Sequence, residues 1–282
     1  MKKGVNNLSF PLKGKYLVML APSFVVDFSY PKIISQLKDL GFDKVVELTF
    51  GAKMINRNYH NQLKTSKNLL ISTVCPGIVE TIKSKYPSYK KNLILIDSPM
   101  TAMAKICKRT YPSYKIVFIS PCNFKKVEAQ NSKNIDYVIC YNELLELFEK
   151  KGLNKKKYKK RDFFDKFYND YTKIYPLSGG LYKTSHLKQI LKKEESKIMD
   201  GITKVEEFLK NPDKKVRFLD VTFCKGGCIG GPCISSKAPL LVKKRKVLKY
   251  ASLAENECIP QADMGLIKRA GNISFKSEYP NK

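Results

Sequence analysis

Four cysteines sit in three short segments bearing Gly or Pro: Ser-Thr-Val-Cys75-Pro-Gly, Ser-Pro-Cys122-Asn-Phe-Lys125-Lys-Val-Glu128, and Phe-Cys224-Lys-Gly-Gly-Cys228-Ile-Gly-Gly-Pro. Four thiolates gathered from distant parts of a chain are what an iron–sulfur cube or a zinc ion requires. Zinc usually takes its cysteines as paired Cys-x-x-Cys knuckles. Two single cysteines and one Cys-x-x-x-Cys therefore favour iron–sulfur. Gly226, Gly227, Gly230 and Gly231 are expected to let the backbone approach inorganic sulfide and donate N–H groups to it. Cys107 and Cys140 suit the role of small buried hydrophobes. Cys233 reads either as a further redox-active or proton-carrying thiol or as a tolerated substitution, and Cys258 carries no legible signal. The two histidines, His60 and His186, lie outside these motifs and are assigned to no metal.

Something must hold these segments together. Short runs rich in Val, Ile and Leu alternate with longer amphipathic stretches, the pattern of strands buried on both faces and covered by helices. Strands are predicted at 16–21, 45–50, 69–73, 93–96, 116–120 and 137–141, with helices at 30–40, closed by Gly41, and at 100–108. Beyond a lysine-rich stretch at 150–173, helices are expected at 183–191 and 204–210, and a strand at 215–223 delivers Cys224 and Cys228. The expectation is an α/β fold of two lobes with largely parallel sheets flanked by helices. Cys75 and Cys122 would follow strand C-termini, where such folds build their sites. Residues 1–282 read as one domain: a first lobe at 13–150, a second at 151–240 and a basic tail at 241–282, with the iron–sulfur site in the cleft between the lobes.

The formal net charge of +28 would ordinarily suggest nucleic acid or an anionic membrane. Only six of the 53 basic residues are arginine, however, and the lysines are spread along nearly the whole length. Phosphate readers tend to use arginine forks, so the composition argues against a nucleic-acid role. The densest run, from Lys155 to Arg161, reads as a solvated insertion. Eight cysteines in 282 residues are too few for a disulfide scaffold. No apolar run approaches the roughly 20 residues needed to span a bilayer, and residues 17–26 read as a buried strand in place of a signal peptide. A cytoplasmic protein without membrane contact is the expectation.

The three cysteine segments, in this order, resemble the cluster-binding motifs of the large-subunit catalytic domain of FeFe (iron-only) hydrogenases, over about 16–232. Ala21-Pro22-Ser23, Phe50-Gly51-Ala52, Asp97-Ser98-Pro99 and Ser178-Gly179-Gly180 add to the resemblance. It implies that Cys75, Cys122, Cys224 and Cys228 hold the 4Fe-4S part of an H-cluster, with Cys228 also bridging to a diiron subcluster. Lys125 matches a lysine that donates to a cyanide ligand there. Pro22, Ser23, Ser98 and Pro99 match residues lining the same cavity.

The departures from the family pattern shape the functional expectation. Catalytic members carry two adjacent cysteines in the first motif, the first handing protons to the diiron site, and here that position is Val74. Where they place relay glutamates, the segment from Lys53 to His60 has no carboxylate. Thr222 replaces a methionine, Met100 a glutamine, and Pro232-Cys233 stand in a glycine-rich tail. The pattern is similar to the divergent, sensory-type branch of the family. The expected function is therefore a 4Fe-4S protein with redox- or dihydrogen-sensing and weak or no turnover. The alternatives are a slow true hydrogenase, its proton route rebuilt through Cys233 or water, and a cluster assembly or carrier protein. The chain starts close to the first strand without accessory-cluster motifs, so electrons are expected from a separate carrier such as a ferredoxin. Maturation proteins or a signalling partner complete the expected partners.

Overall fold

The computed structural model describes residues 8–159, 162–165, 171–253 and 270–281. Its strands are β1 (Tyr16–Leu20), β2 (Lys44–Glu47), β3 (Leu70–Ile71), β4 (Lys115–Ser120), β5 (Tyr137–Cys140), β6 (Ser196–Asp200) and β7 (Phe218–Thr222). The helices used below are α1 (Lys32–Asp39), α2 (Thr49–Thr65), α3 (Pro76–Lys85), α4 (Pro99–Thr110), α5 (Phe124–Gln130), α6 (Tyr141–Lys150), α7 (Gly180–Thr184), α8 (Ile202–Lys210) and α9 (Leu240–Ser252).

Two parallel sheets result, one ordered β2-β1-β4-β5 and the other β3-β7-β6. β1 is buried along its whole length, as its unbroken apolar run requires. Its side chains alternate. Leu17 and Met19 face a core shared with α2 and α4, while Val18 and Leu20 face a second core with α1 and α6. The first of these cores also takes Leu70 and Phe218 from the other sheet, so α2 and α4 pack between the two sheets. They approach closely because Gly51 has no side chain: a Cβ there would lie 2.6 Å from the Pro99 carbonyl oxygen. The outer face of the second sheet packs Ile71, Leu219 and Val221 against α3 and α8.

Several predicted boundaries move. Residues 48–50 turn into α2 instead of extending the second strand, and 93–96 makes only isolated bridges, Ile71 with Leu93 and Ile96 with Lys276. The helix expected at 183–191 is the short α7 followed by a 3-10 turn at Leu187–Gln189. The first strand of the second sheet, β3, comes from the first half of the chain, so a division near residue 150 does not separate the sheets. The region read as a basic tail contains α9. Its Tyr250 hydroxyl donates to Glu47 at 2.7 Å, and Glu47 in turn pairs with the buried Lys173 at 3.0 Å. Cys258 and the end of the lysine run, Lys160 and Arg161, lie outside the described residues.

The topology fixes where a site can form. In the first sheet the chain leaves β1 toward β2 on one side and returns to β4 on the other, so the C-terminal ends of β1 and β4 flank a switch point. In the second sheet β7 is central, with β3 and β6 on either side. Ala21-Pro22-Ser23 follows β1, Cys122 follows β4, Cys75 follows β3 and Cys224 follows β7.

Candidate metal centre

These four strand ends surround one cavity, and Cys75, Cys122, Cys224 and Cys228 all line it. Cys75 directly precedes α3, and its Sγ accepts the Phe223 N–H at 3.4 Å, joining the first and third motifs. Cys122 sits in a tight turn. Ser120 Oγ accepts the Cys122 N–H at 3.1 Å and donates to the Cys122 carbonyl at 2.8 Å. The rings of Phe124 and Phe223, 5.2 Å apart, pack the second motif against the third.

The loop carrying Cys224 and Cys228 is clamped onto residues 175–177. The Cys228 N–H donates to the Pro176 carbonyl at 2.8 Å, and a Cβ on Gly227 (φ +78°) would lie 2.6 Å from that same oxygen. The glycine N–H groups act differently from the sequence expectation. Those of Gly226, Gly227, Gly230 and Gly231 donate to Asp200, Cys224, Gly227 and Cys228 respectively. Their role here is close backbone approach, to Pro176 and, at Gly231, to the Pro121 carbonyl.

All seven described cysteines are free. Cys228 has solvent-accessible surface in the cavity yet is otherwise enclosed by protein, and burial pushes its thiol well above the ordinary value. Burial, then the proximity of Cys75, pushes Cys122 up to about 12 and Cys224 to about 11, while Lys125 works in the opposite direction on Cys122 and Cys228. The thiols thus feel one another's charge. Even so, among the described residues no three His, Cys, Asp or Glu side chains converge closely enough to hold one metal ion. Thiolates sharing a zinc lie about 3.8 Å apart, given Zn–S bonds of about 2.3 Å. Four cysteine thiols around a common space are a donor set that a soft metal or an iron–sulfur cluster could take.

Lys125 reaches toward the cavity instead of solvent. Its Nζ donates to Glu128 at 2.6 Å, Ser98 Oγ at 3.0 Å and the Val74 carbonyl at 3.3 Å. Ser98 is not among the lining residues; it stands behind Lys125 and donates to Glu128 at 2.5 Å. Pro22, Ser23 and Pro99 do line the cavity, as do Met100 and Thr222. Tyr141 donates its proton to the Ala21 carbonyl at 3.0 Å, so Ser23 Oγ donates to the Tyr141 oxygen at 2.8 Å.

The wall at Val74 has a different character. Behind it, Thr73 donates to the Ile94 carbonyl at 2.7 Å, which leaves its oxygen to accept from Tyr59 at 3.1 Å, and the Tyr59 oxygen accepts the Thr73 N–H at 3.1 Å. Each proton there has a fixed acceptor, and burial holds the Tyr59 hydroxyl well above the ordinary tyrosine value. Cys233 does not line the cavity. It lies on the far side of Pro121, where its N–H donates to the Pro121 carbonyl and its thiol meets Cys140, so a proton route through it finds no support.

Sequence reasoning missed two lining residues. Asp220, on β7, is buried, accepts the Tyr182 N–H at 2.9 Å, and has its carboxyl pushed up to about 6 by burial. Tyr175 has a buried hydroxyl without a hydrogen-bond partner. A signal for Asp220 was available: an acid inside an otherwise apolar strand, four residues before a candidate ligand.

Fold and side chains together define an α/β domain that gathers four cysteine thiols between two parallel sheets. The chain belongs to the family described as iron only hydrogenase large subunit, C-terminal domain, which matches residues 14–232. It is 26% identical to iron hydrogenase 1 of Clostridium pasteurianum, covering 82% of this chain and 52% of that protein. It is 24% identical to the NADP-reducing hydrogenase subunit HndD of Solidesulfovibrio fructosivorans, covering 77% and 48%. The chain thus spans about half the length of these curated relatives. Among solved structures, a variant of apo FeFe-hydrogenase HydA1 of Chlamydomonas reinhardtii superimposes with a TM-score of 0.68 at 14% identity, covering 90% of this chain and 88% of that one. A second variant of the same hydrogenase gives the same values. Among the described residues no helix is long and apolar enough to cross a membrane.

Proposed function

We propose that this chain holds a 4Fe-4S cluster through Cys75, Cys122, Cys224 and Cys228, and serves in redox or dihydrogen sensing with weak or no turnover. The observation carrying this reading is the asymmetry of one cavity. Four thiols and Lys125 are present, while Val74, whose carbonyl Lys125 contacts, turns carbon to the cavity and is backed by hydroxyls whose protons already have acceptors. Bound there, such a cluster would supply one-electron chemistry, and a diiron subcluster, if inserted, dihydrogen binding. The chain's own contribution is to place thiolates, to offset their charge with Lys125, and to exclude water with Pro22, Val74, Pro99 and Met100. Electrons would come from a separate carrier protein, and insertion of a diiron subcluster would need maturation proteins.

One observation favours a second reading, a slow hydrogenase. Asp220 is a buried carboxyl in the cavity wall that changes protonation near pH 6, so it could exchange protons where Val74 cannot. Iron and sulfide analysis with infrared spectroscopy, on anaerobic protein co-expressed with the hydrogenase maturation machinery, tests both. A cube with carbonyl and cyanide bands but no dihydrogen evolution from reduced dye supports sensing. Evolution abolished by Asp220→Asn supports the second reading. Protein without iron overturns both.

A further inference from the structure

A second cavity, of about 480 Å³, lies along α2 and away from the cysteines, within the size range of small-molecule sites. Lys53, Asn56, Arg57 and His60 line it at positions i, i+3, i+4 and i+7, one face of the helix, with Ser185 and His186 among the residues of the opposite wall. Among the described residues the lining includes a lysine, an arginine and two histidines but no acid. Among the described residues Lys53 and Arg57 have neither a hydrogen bond nor an ion pair from their side chains. In a chain this basic, exposed cations alone would carry no inference; the cavity floor supplies the second observation.

Asn56 and Ser185 are 6% and 3% exposed. Thr184 donates its hydroxyl proton to the Gly180 carbonyl at 2.8 Å, so it can only accept from Asn56 Nδ2 at 2.9 Å. That fixes the amide orientation and leaves Asn56 Oδ1 without a partner, and Ser185 Oγ is also unpartnered. Buried polar atoms without partners are rare and point to something that completes them. His60 Nδ1 must donate to the Ser185 carbonyl, 3.0 Å away, which fixes the ring and leaves Nε2 as its remaining polar atom.

The chemistry demanded is specific. The cations call for an oxyanion, and an arginine fork matches carboxylate or phosphate. Asn56 Oδ1 is only an acceptor and calls for a hydroxyl on the same ligand, while Ser185 can give or take a proton. We propose that this cavity binds a small hydroxylated oxyanion, with Lys53 and Arg57 on the charge and Asn56 and Ser185 on the hydroxyl.

Citrate and propane-1,2,3-tricarboxylate, which differ only by the hydroxyl, are the probes, titrated by calorimetry into the full chain at ionic strength held constant with chloride. The expected result is saturable citrate binding, at least fivefold tighter than the hydroxyl-free analogue. Lys53→Ala/Arg57→Ala should weaken it at least tenfold, while Lys90→Ala/Lys91→Ala, which removes the same charge from an exposed turn, leaves it within twofold. No saturable binding, equal affinity for the two probes, or equal loss in both double variants would each overturn the proposal. The last outcome would show attraction to net charge alone. A phosphate arm distinguishes sources: phosphate monoesters outcompeting citrate would assign the same site to a hydroxylated phosphate.

Discussion

The two walls of the cysteine-lined cavity differ in how their polar groups are arranged. At one place Lys125 faces the thiols, held from behind by Glu128 and Ser98 in a buried, charged, mutually hydrogen-bonded set. Next to it, where the Val74 carbonyl accepts from Lys125, the Val74 side chain presents carbon, and the Tyr59 and Thr73 hydroxyls behind it are closed on each other and on a backbone carbonyl. The lysine can orient and offset an anionic group; the valine side chain has no proton to exchange. On the proposed reading, the difference teaches that holding a cluster and turning over dihydrogen make separable demands on a fold, because charge placement needs fixed partners and proton transfer needs an exchangeable one.

The first break is at the thiols themselves. Serine at Cys75, Cys122, Cys224 or Cys228 should each reduce iron from about four per chain to below one, with loss of visible charge-transfer absorbance. Cys233→Ala, outside the cavity, should keep both. If Cys233→Ala loses iron and Cys75→Ser does not, the ligand set is wrong.

Next is the carbon wall. Val74→Cys restores a thiol there, and in matured protein it should raise dye-driven dihydrogen evolution by about 10²–10⁴-fold, the range of a general acid–base contribution. If Asp220 already carries protons, Val74→Cys will change little and Asp220→Asn will abolish the rate. Dihydrogen evolution by the two variants thus separates sensing from slow turnover.

The charged wall breaks less completely. Glu128→Gln leaves the Lys125 ammonium, 13% exposed, without its carboxylate, and should destabilise the chain by about 3–5 kcal/mol in denaturant titrations. Adding Lys125→Met should recover part of that loss, because both buried charges are then gone. Additive losses would mean that the pair does not act as a unit.

Much of this arrangement could be read from local sequence, and the reason it stops is equally physical. β1, β4 and β5 are apolar runs, and the cysteines follow strand ends, so the parallel sheets and the positions of the cysteines were legible. Residues 48–50 were not, because Leu48 and Phe50 are as apolar as a strand; what turns them into α2 is packing of Gly51 on α4, a contact across about 50 residues. α9 was hidden by its lysines, since only Lys243, Val247 and Tyr250 are buried along it. β6, with exposed Lys197 and Ile198, has no strand pattern of its own and depends on pairing with β7. Tyr175 was invisible for the same reason, since only the assembled cavity shows what a side chain faces, whereas Asp220 stood out as an acid in an apolar strand but not as a cavity residue.

The smallest effect is the most informative about proton exchange in the cavity. Asp220 is the one carboxyl among the described lining residues, and burial raises it from an ordinary value near 3.8 to about 6. Below pH 4 it is protonated in both folded and unfolded chains. Between pH 4 and 6 the unfolded chain releases the proton while the folded one keeps it, so stability falls as pH rises, and the loss persists above 6. The full difference corresponds to about 3 kcal/mol. Asp220→Asn in the cluster-free chain should therefore gain stability over wild type progressively from pH 4 to 6.5. A residual slope common to both proteins is expected from Asp97, which burial also raises to about 6 despite its pairing with Lys105. The readout is the difference between the two denaturation curves at each pH. A pH-independent difference would mean that Asp220 does not titrate in this range, leaving the carbon wall without a proton carrier and the slow-turnover reading without its support.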